Sequence, residues 1–185
     1  MPSEIIMIQT YEQIAAAYLE KRQGRSVIQR FVEQFDEHLA PESWILDVGC
    51  GPGFDAELLR KRGYKVFGVD LFWKMLQLGR KHFPGSFVQG DLRRLPFGSI
   101  ADGLWVNASC LHIVQDDVKS TLVEFHLILR DGGHLFMTLK EGTESRWEPA
   151  AYDEHERPRC SLSSGRKVEI WMKCPPSVIP TSATK

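Results

Sequence analysis

Apolar positions along the chain switch between two periods, and the switches mark its elements. From Glu4 to Arg22 the residues Ile8, Tyr11, Ile14, Ala15, Tyr18 and Leu19 recur at helical spacing and make one stripe. Gly24 interrupts it. A second helix is predicted from Ser26, a candidate N-cap, through Val27, Ile28, Phe31, Val32, Phe35 and Leu39 to Pro41. Trp44 to Val48 is apolar almost throughout, which suits a strand buried on both faces. Glycines follow at 49, 51 and 53, and a helix from Asp55 to Arg62 is stopped by Gly63. Then come a strand over Lys65 to Asp70, a helix over Leu71 to Phe83 closed by Pro84 and Gly85, and strands over Ser86 to Gly90 and Ile100 to Val106. An amphipathic helix over Asp116 to Leu129, a turn at RDGG and a fifth strand over His134 to Leu139 complete the pattern. Strands alternating with helices predict an α/β domain whose sheet is parallel and carries helices on both faces.

Beyond Glu141 the pattern weakens. Gly142 to Gly165 is polar and broken by Pro149 and Pro158, and one strand candidate remains at Lys167 to Lys173, where Trp171 spoils strict alternation. The ending CPPSVIPTSATK is rich in Pro, Ser and Thr and is predicted to be disordered. The chain thus divides into a core over 1–142, with helices at its N-terminus, and an atypical segment over 143–185. Either residues 167 to 173 pair with the outer edge of the fifth strand, or that edge is open to association and a homodimer is in view.

Composition narrows the picture without deciding it. The 185 residues suit one domain, and 43% hydrophobic with 25% charged residues are ordinary globular values. A formal net charge of −1 supplies no basic field for nucleic acid or an anionic membrane. No apolar run approaches the ~20 residues a bilayer needs, and no basic, then apolar, leader opens the chain, so a cytoplasmic protein is expected. Cys50, Cys110, Cys160 and Cys174 lack ligand-like spacing and read as free thiols. His38, His82 and His126 lie in helical stretches without a partner pattern, and no metal site emerges.

Chemistry concentrates at WILDVGCGPGF, residues 44 to 54. Glycines after a strand let the backbone approach a ligand, and a helix starting near Phe54 would aim free N–H groups into the turn. The dinucleotide fingerprint G-x-G-x-x-G/A needs a small sixth residue, and Phe54 stands there. Asp47, two residues before the first glycine, would repel a pyrophosphate and attract a cation. An acid followed by G-x-G-x-G resembles motif I of the class I S-adenosylmethionine-dependent methyltransferases, whose cofactor carries an ammonium and a sulfonium and no phosphate. Asp70, nineteen residues after Gly51 at a strand end, can accept both ribose hydroxyls of an adenosine.

The resemblance covers roughly residues 8 to 142 and implies a Rossmann-like doubly wound sheet of order 3-2-1-4-5 with its C-terminal strands incomplete. It implies S-adenosyl-L-methionine as cofactor, with Asp47, Gly49, Cys50, Gly51 and Gly53 at the methionine end, Asp70 at the ribose and Leu71 also in contact with the cofactor. Met75 would pack near the adenine, which Asp91 and Leu92 of GDLRRLPF would bind. TYEQIAAAYLEKR resembles the family's capping segment, so Tyr11 and Tyr18, two turns apart, would cover the pocket. Asn107 and Ala108 would stand beside the methyl, and His112 is the one side chain there able to act as a base near neutral pH. Cys110 is a further polar candidate that reads more simply as core. Asn107 precedes Ala-Ser-Cys instead of Pro-Pro and an aromatic, unlike the amino-methyltransferases that act on DNA, and the chain resembles the small-molecule branch of the superfamily, which implies a small-molecule methyl acceptor. Arg146, Trp147 and Tyr152 would border the acceptor. Asp131 replaces the proline of the family's turn before the fifth strand, a change that a good turn former tolerates. Two other readings stand beside this one: a degenerate methyltransferase fold that binds the cofactor as a sensor or partner subunit, and a nucleotide-dependent oxidoreductase.

Overall fold

The computed structural model describes residues 11, 14, 15, 17, 18, 26–140, 145–148, 159–162 and 167–175. Residues 11, 14, 15, 17 and 18 are helical, within the predicted N-terminal stretch. The elements that follow are α1 (Ser26–Asp36), β1 (Trp44–Val48), α2 (Phe54–Lys61), β2 (Lys65–Asp70), α3 (Trp73–His82), β3 (Ser86–Gln89) and β4 (Ala101–Asn107). A short 3-10 helix (Cys110–His112) leads to α4 (Gln115–Ile128), β5 (Leu129–Lys140), β6 (Ser145–Glu148), β7 (Arg159–Leu162) and β8 (Lys167–Lys173). Six strands form one sheet in the order β3-β2-β1-β4-β5-β8. The first five run parallel, and β8 runs antiparallel against β5.

Side-chain alternation along the central strands sorts the core into two layers. Ile45, Trp105 and Phe136 project to the face covered by α1 and α2, where they meet Phe31, Phe35, Ala56 and Leu59. Leu46, Val48, Leu104, Val106, Leu135 and Met137 project to the other, which Phe125 and Ile128 of α4 cover. Phe136 is at the centre of the first layer, its ring 4.2 Å from Trp105, 4.6 Å from Trp171 and 5.3 Å from Phe31.

Trp171 explains its own departure from alternation. Ile170 packs with the α4 layer and Trp171 with the α1 layer, so β8 is apolar toward both. Its register runs from His134↔Lys173 to Lys140↔Lys167, which covers the outer edge of β5 and removes the reason for expecting a homodimer through that edge. The predicted turn at RDGG lies inside β5 instead: the strand starts at Leu129, its register on β4 shifts between Ala101 and Gly103, and Gly132 takes φ 79°. A glycine there lets the strand bulge without ending. The Gly132 N–H donates to the Cys174 carbonyl at 3.1 Å and the Cys174 N–H to the Gly133 carbonyl at 2.7 Å. The ending predicted to be disordered therefore has its first residue tied to the sheet; 176–185 lie outside the described residues. The polar segment between β5 and β8 contains an unforeseen antiparallel pair, β6 with β7, and β7 runs beside the 3-10 helix.

Phe136→Ala is expected to lower stability by ~3 to 5 kcal/mol, the range for emptying a buried aromatic site. Urea unfolding measures it; a loss under ~1 kcal/mol would mean that the layer closes over the gap.

Candidate active site

A cleft of about 830 Å³, its open mouth included, lies at the C-terminal ends of β1, β2 and β4. Sheets of this kind place ligands there, where strand order reverses. Gly49 and Gly51 line it after β1, and Asp70, Leu71 and Phe72, with Met75, after β2. Asp91, Leu92 and Arg93 follow β3, and Asn107, Ala108, Ser109, His112 and Ile113 follow β4. Tyr11 and Tyr18 reach it from the N-terminal helical stretch.

Asp70 is the most buried charged group of the cleft, 6% exposed. Its Oδ2 accepts the Gly51 N–H at 2.7 Å and its Oδ1 the Phe72 N–H at 2.8 Å, so one carboxylate holds the glycine bend and the start of the next connection together. Burial pushes its pKa up from 3.8 to about 6, against the pull of those N–H groups. Gly51 takes φ 54°, and a Cβ there would meet only Tyr18, at 3.8 Å, so its backbone is open to the cleft.

Three residues predicted to bind the cofactor stand behind the cleft wall. Asp47 is 2% exposed and shares the Ile45 face of β1, because side chains alternate; it points beneath α2. The Ala56 N–H in the first turn of α2 donates to it, as a carboxylate at a helix N-terminus favours. Burial first, then the charges of Asp55 and Asp70, push its carboxyl well above the usual range. Cys50 packs with Leu76 and Phe87, and a Cβ on Gly53 would come within 2.5 Å of the Phe87 ring. Those two let α2, α3 and β3 approach closely, which is the packing role of a third glycine.

Asp91 lines the cleft already engaged. Both of its oxygens accept the Arg93 Nε at 3.0 Å, and Oδ1 also accepts the Arg93 N–H at 2.9 Å. The Arg93 guanidinium holds its carboxyl below the usual carboxylate range, although burial acts the other way and is the largest single influence. Arg93 reaches on to Asp117 of α4 at 3.3 Å. None of Arg93, Phe72 and Ile113 was among the residues predicted from sequence. The Asp-x-Arg spacing, which suits a turn closed by the acid, is the signal that could have revealed Arg93.

At the exit of β4, Asn107 and Ala108 meet β5: the Ala108 N–H donates to Thr138 Oγ1 and that hydroxyl to Asn107 Oδ1, both at 2.8 Å. His112 Nε2 lies 2.9 Å from the Tyr11 hydroxyl, whose ring stacks on Phe72 at 4.4 Å. Cys110, pushed up to about 12 by burial, is a protonated thiol. The side chains of Arg146, Trp147 and Tyr152 lie outside the described residues.

Residues 46–137 match the family model described as a methyltransferase domain. The chain is 32% identical over 136 residues to a malonyl-[acyl-carrier protein] O-methyltransferase of Hamiltonella defensa, covering 72% of this chain and 49% of that protein. The chain belongs to the class I S-adenosylmethionine-dependent methyltransferases. A ubiquinone biosynthesis O-methyltransferase of Acinetobacter baumannii is 31% identical over 100 residues, covering 51% of this chain and 42% of its own length. The chain thus spans about half the length of the curated relatives it matches. The Burkholderia thailandensis 1,6-didemethyltoxoflavin-N1-methyltransferase, solved with S-adenosylhomocysteine, shares the fold at a TM-score of 0.64 and 19% identity, over 86% of this chain and 72% of that one.

The cleft of this methyltransferase domain suits S-adenosylmethionine, the family's cofactor: the Cβ-free bend at Gly51 admits close backbone approach, and Asp70 keeps acceptor capacity beyond its two N–H bonds. Folding raises the pKa of Asp70, so the folded chain retains a proton that the unfolded chain has already lost above pH 3.8. The associated stability is present below that value and disappears as pH rises through about 6. Without ligand, the wild type is expected to lose ~2 to 3 kcal/mol relative to Asp70→Asn between pH 4 and pH 7. Urea midpoints across that range measure it, and a constant difference would mean that Asp70 titrates normally.

Proposed function

We propose that the chain transfers a methyl group from S-adenosylmethionine to a small-molecule acceptor in this cleft. The observation that carries the reading is the placement of His112, bonded to Tyr11, in the same cleft as the buried carboxylate of Asp70. Asp70 would accept the ribose hydroxyls. Gly49 and Gly51 would border the methionine end, with no Cβ in the way. Asp91, steadied by Arg93, would accept the adenine amine with its remaining lone pairs while Leu92 offers its backbone N–H; Met75 and Leu71 would pack beside the base. Tyr11 and Tyr18 would cover the bound molecule, and Asn107 and Ala108 would stand against its sulfur end.

When bound, the cofactor supplies an electrophilic methyl on a positively charged sulfur. What the chain adds is alignment and exclusion of water, which account for much of such a transfer. His112 would take the proton of an acceptor hydroxyl or amine as the new bond forms, and Tyr11 would orient its ring. The relatives' names, a malonyl-[acyl-carrier protein] O-methyltransferase and a ubiquinone biosynthesis O-methyltransferase, differ in acceptor, so similarity alone does not choose one for this chain. Among the described residues no helix is long and apolar enough to cross a membrane.

Labelled S-adenosylmethionine incubated with pools of small phenols, amines and carboxylates tests the proposal, and label in a small-molecule product is expected. Binding without transfer to any pool would favour the cofactor sensor. His112→Ala is expected to lower kcat at least ~100-fold, the lower range for general-base catalysis, with S-adenosylhomocysteine affinity changed less than about threefold. An unchanged kcat would reduce His112 to a packing residue. By calorimetry, Asp70→Ala should weaken S-adenosylhomocysteine by ~1.5 to 3 kcal/mol, as lost hydrogen bonds to a charged group do; unchanged affinity would place the ribose elsewhere.

A further inference from the structure

The wall that follows β4 has an unusual backbone. Ala108 takes φ 57°, one of two non-glycine residues with positive φ among those described. A side chain makes that conformation unfavourable, so it persists only where surrounding contacts impose it. At Ala108 the imposing contact is identifiable: its N–H donates to the hydroxyl of Thr138, a β5 residue only 1% exposed.

Thr138 is itself held. Its hydroxyl donates to Asn107 Oδ1, the Asn107 amide donates to Asp55 Oδ2 at 2.7 Å, and the Trp105 indole N–H donates to the same oxygen at 3.0 Å. This chain of bonds joins the first turn of α2 to the ends of β4 and β5. Its far end leads back to the glycine bend. Ser109 donates to the Val48 carbonyl at 2.8 Å, and a Cβ on Gly49 would fall 2.1 Å from that of Ser109. If Ala108 relaxed to an ordinary conformation, Ser109 would move against the bend and the cleft would change shape.

We infer that Thr138 is a positioning residue for the cofactor cleft: its hydroxyl holds Ala108 in the left-handed conformation that gives the wall between Asn107 and Ser109 its binding shape. Thr138 does not line the cleft and acts through Ala108. The inference rests on the proposal that this cleft binds the cofactor. It makes a specific demand, because glycine adopts positive φ without cost: with glycine at 108 the hydroxyl of Thr138 should no longer matter to binding.

The test is a cycle of Thr138→Val, Ala108→Gly and the double variant, with Thr138→Ser as the conservative control. Each is titrated with S-adenosylhomocysteine by calorimetry and melted to record Tm. Thr138→Val is expected to weaken binding about tenfold, Thr138→Ser to stay within twofold of wild type, and the double variant to bind within about twofold of Ala108→Gly. If Thr138→Val lowers Tm but leaves affinity intact, or weakens binding equally with alanine or glycine at 108, the inference is overturned. Should Thr138→Val not fold, the double variant against Ala108→Gly decides it, and failure of both to fold would assign the hydroxyl to the fold alone. Absence of binding by the wild type would instead overturn the underlying proposal, so the two failures are distinct.

Discussion

Much of the site depends on one carboxylate accepting two backbone protons. Asp70 ends β2, yet its oxygens reach the Gly51 N–H in the bend after β1 and the Phe72 N–H that leads into α3. Parallel strands have no covalent link at their ends, and their separation there is set by whatever bridges them. A buried carboxylate bridging two N–H groups is a strong and directional tie. Because both protons come from backbone, the tie fixes the path of the chain and leaves lone pairs on the cleft side.

The same packing moves the other acid out of the site. Asp47 precedes the glycines as motif I requires, and in sequence it reads as an anionic tip facing a cation. Alternation along β1 turns it toward α2, where it accepts the Ala56 N–H and burial pushes its carboxyl up. Its role is to receive a helix start beneath the bend. The acids that face the cleft are Asp70 and Asp91, and the second is paired with Arg93. The carboxylates that face the cleft therefore lie one strand and two strands away from the one first suspected.

Most of the sheet was legible because a parallel strand buried on both faces is an apolar run, as β1 and β4 are, and helices separate most of the strands. Asp70 and Asn107, which end two of those runs, could be placed at the cleft from topology, since a strand's C-terminal end leaves little freedom, whereas Asp91 was placed there by the resemblance of GDLRRLPF. Cys50 and Gly53 were misplaced for the opposite reason: within a tight bend, adjacent residues face a ligand or a helix according to dihedral angles that composition does not encode. The bulge inside β5 was missed because RDGG is as good a turn sequence as it is a bulge. Thr138 carried no local signal of a site, because its partner Asn107 is thirty-one residues away and only the fold brings the two together. Arg93 had a local signal, its acid partner two residues before it, that went unread.

A crystal structure with S-adenosylhomocysteine tests the central claim most directly. The expected result places the ribose hydroxyls within hydrogen-bond distance of Asp70, whose bonds to Gly51 and Phe72 remain, and leaves Asp47 out of contact with the ligand. A nucleoside bound with its ribose away from Asp70, or an ammonium paired with Asp47, would contradict the account.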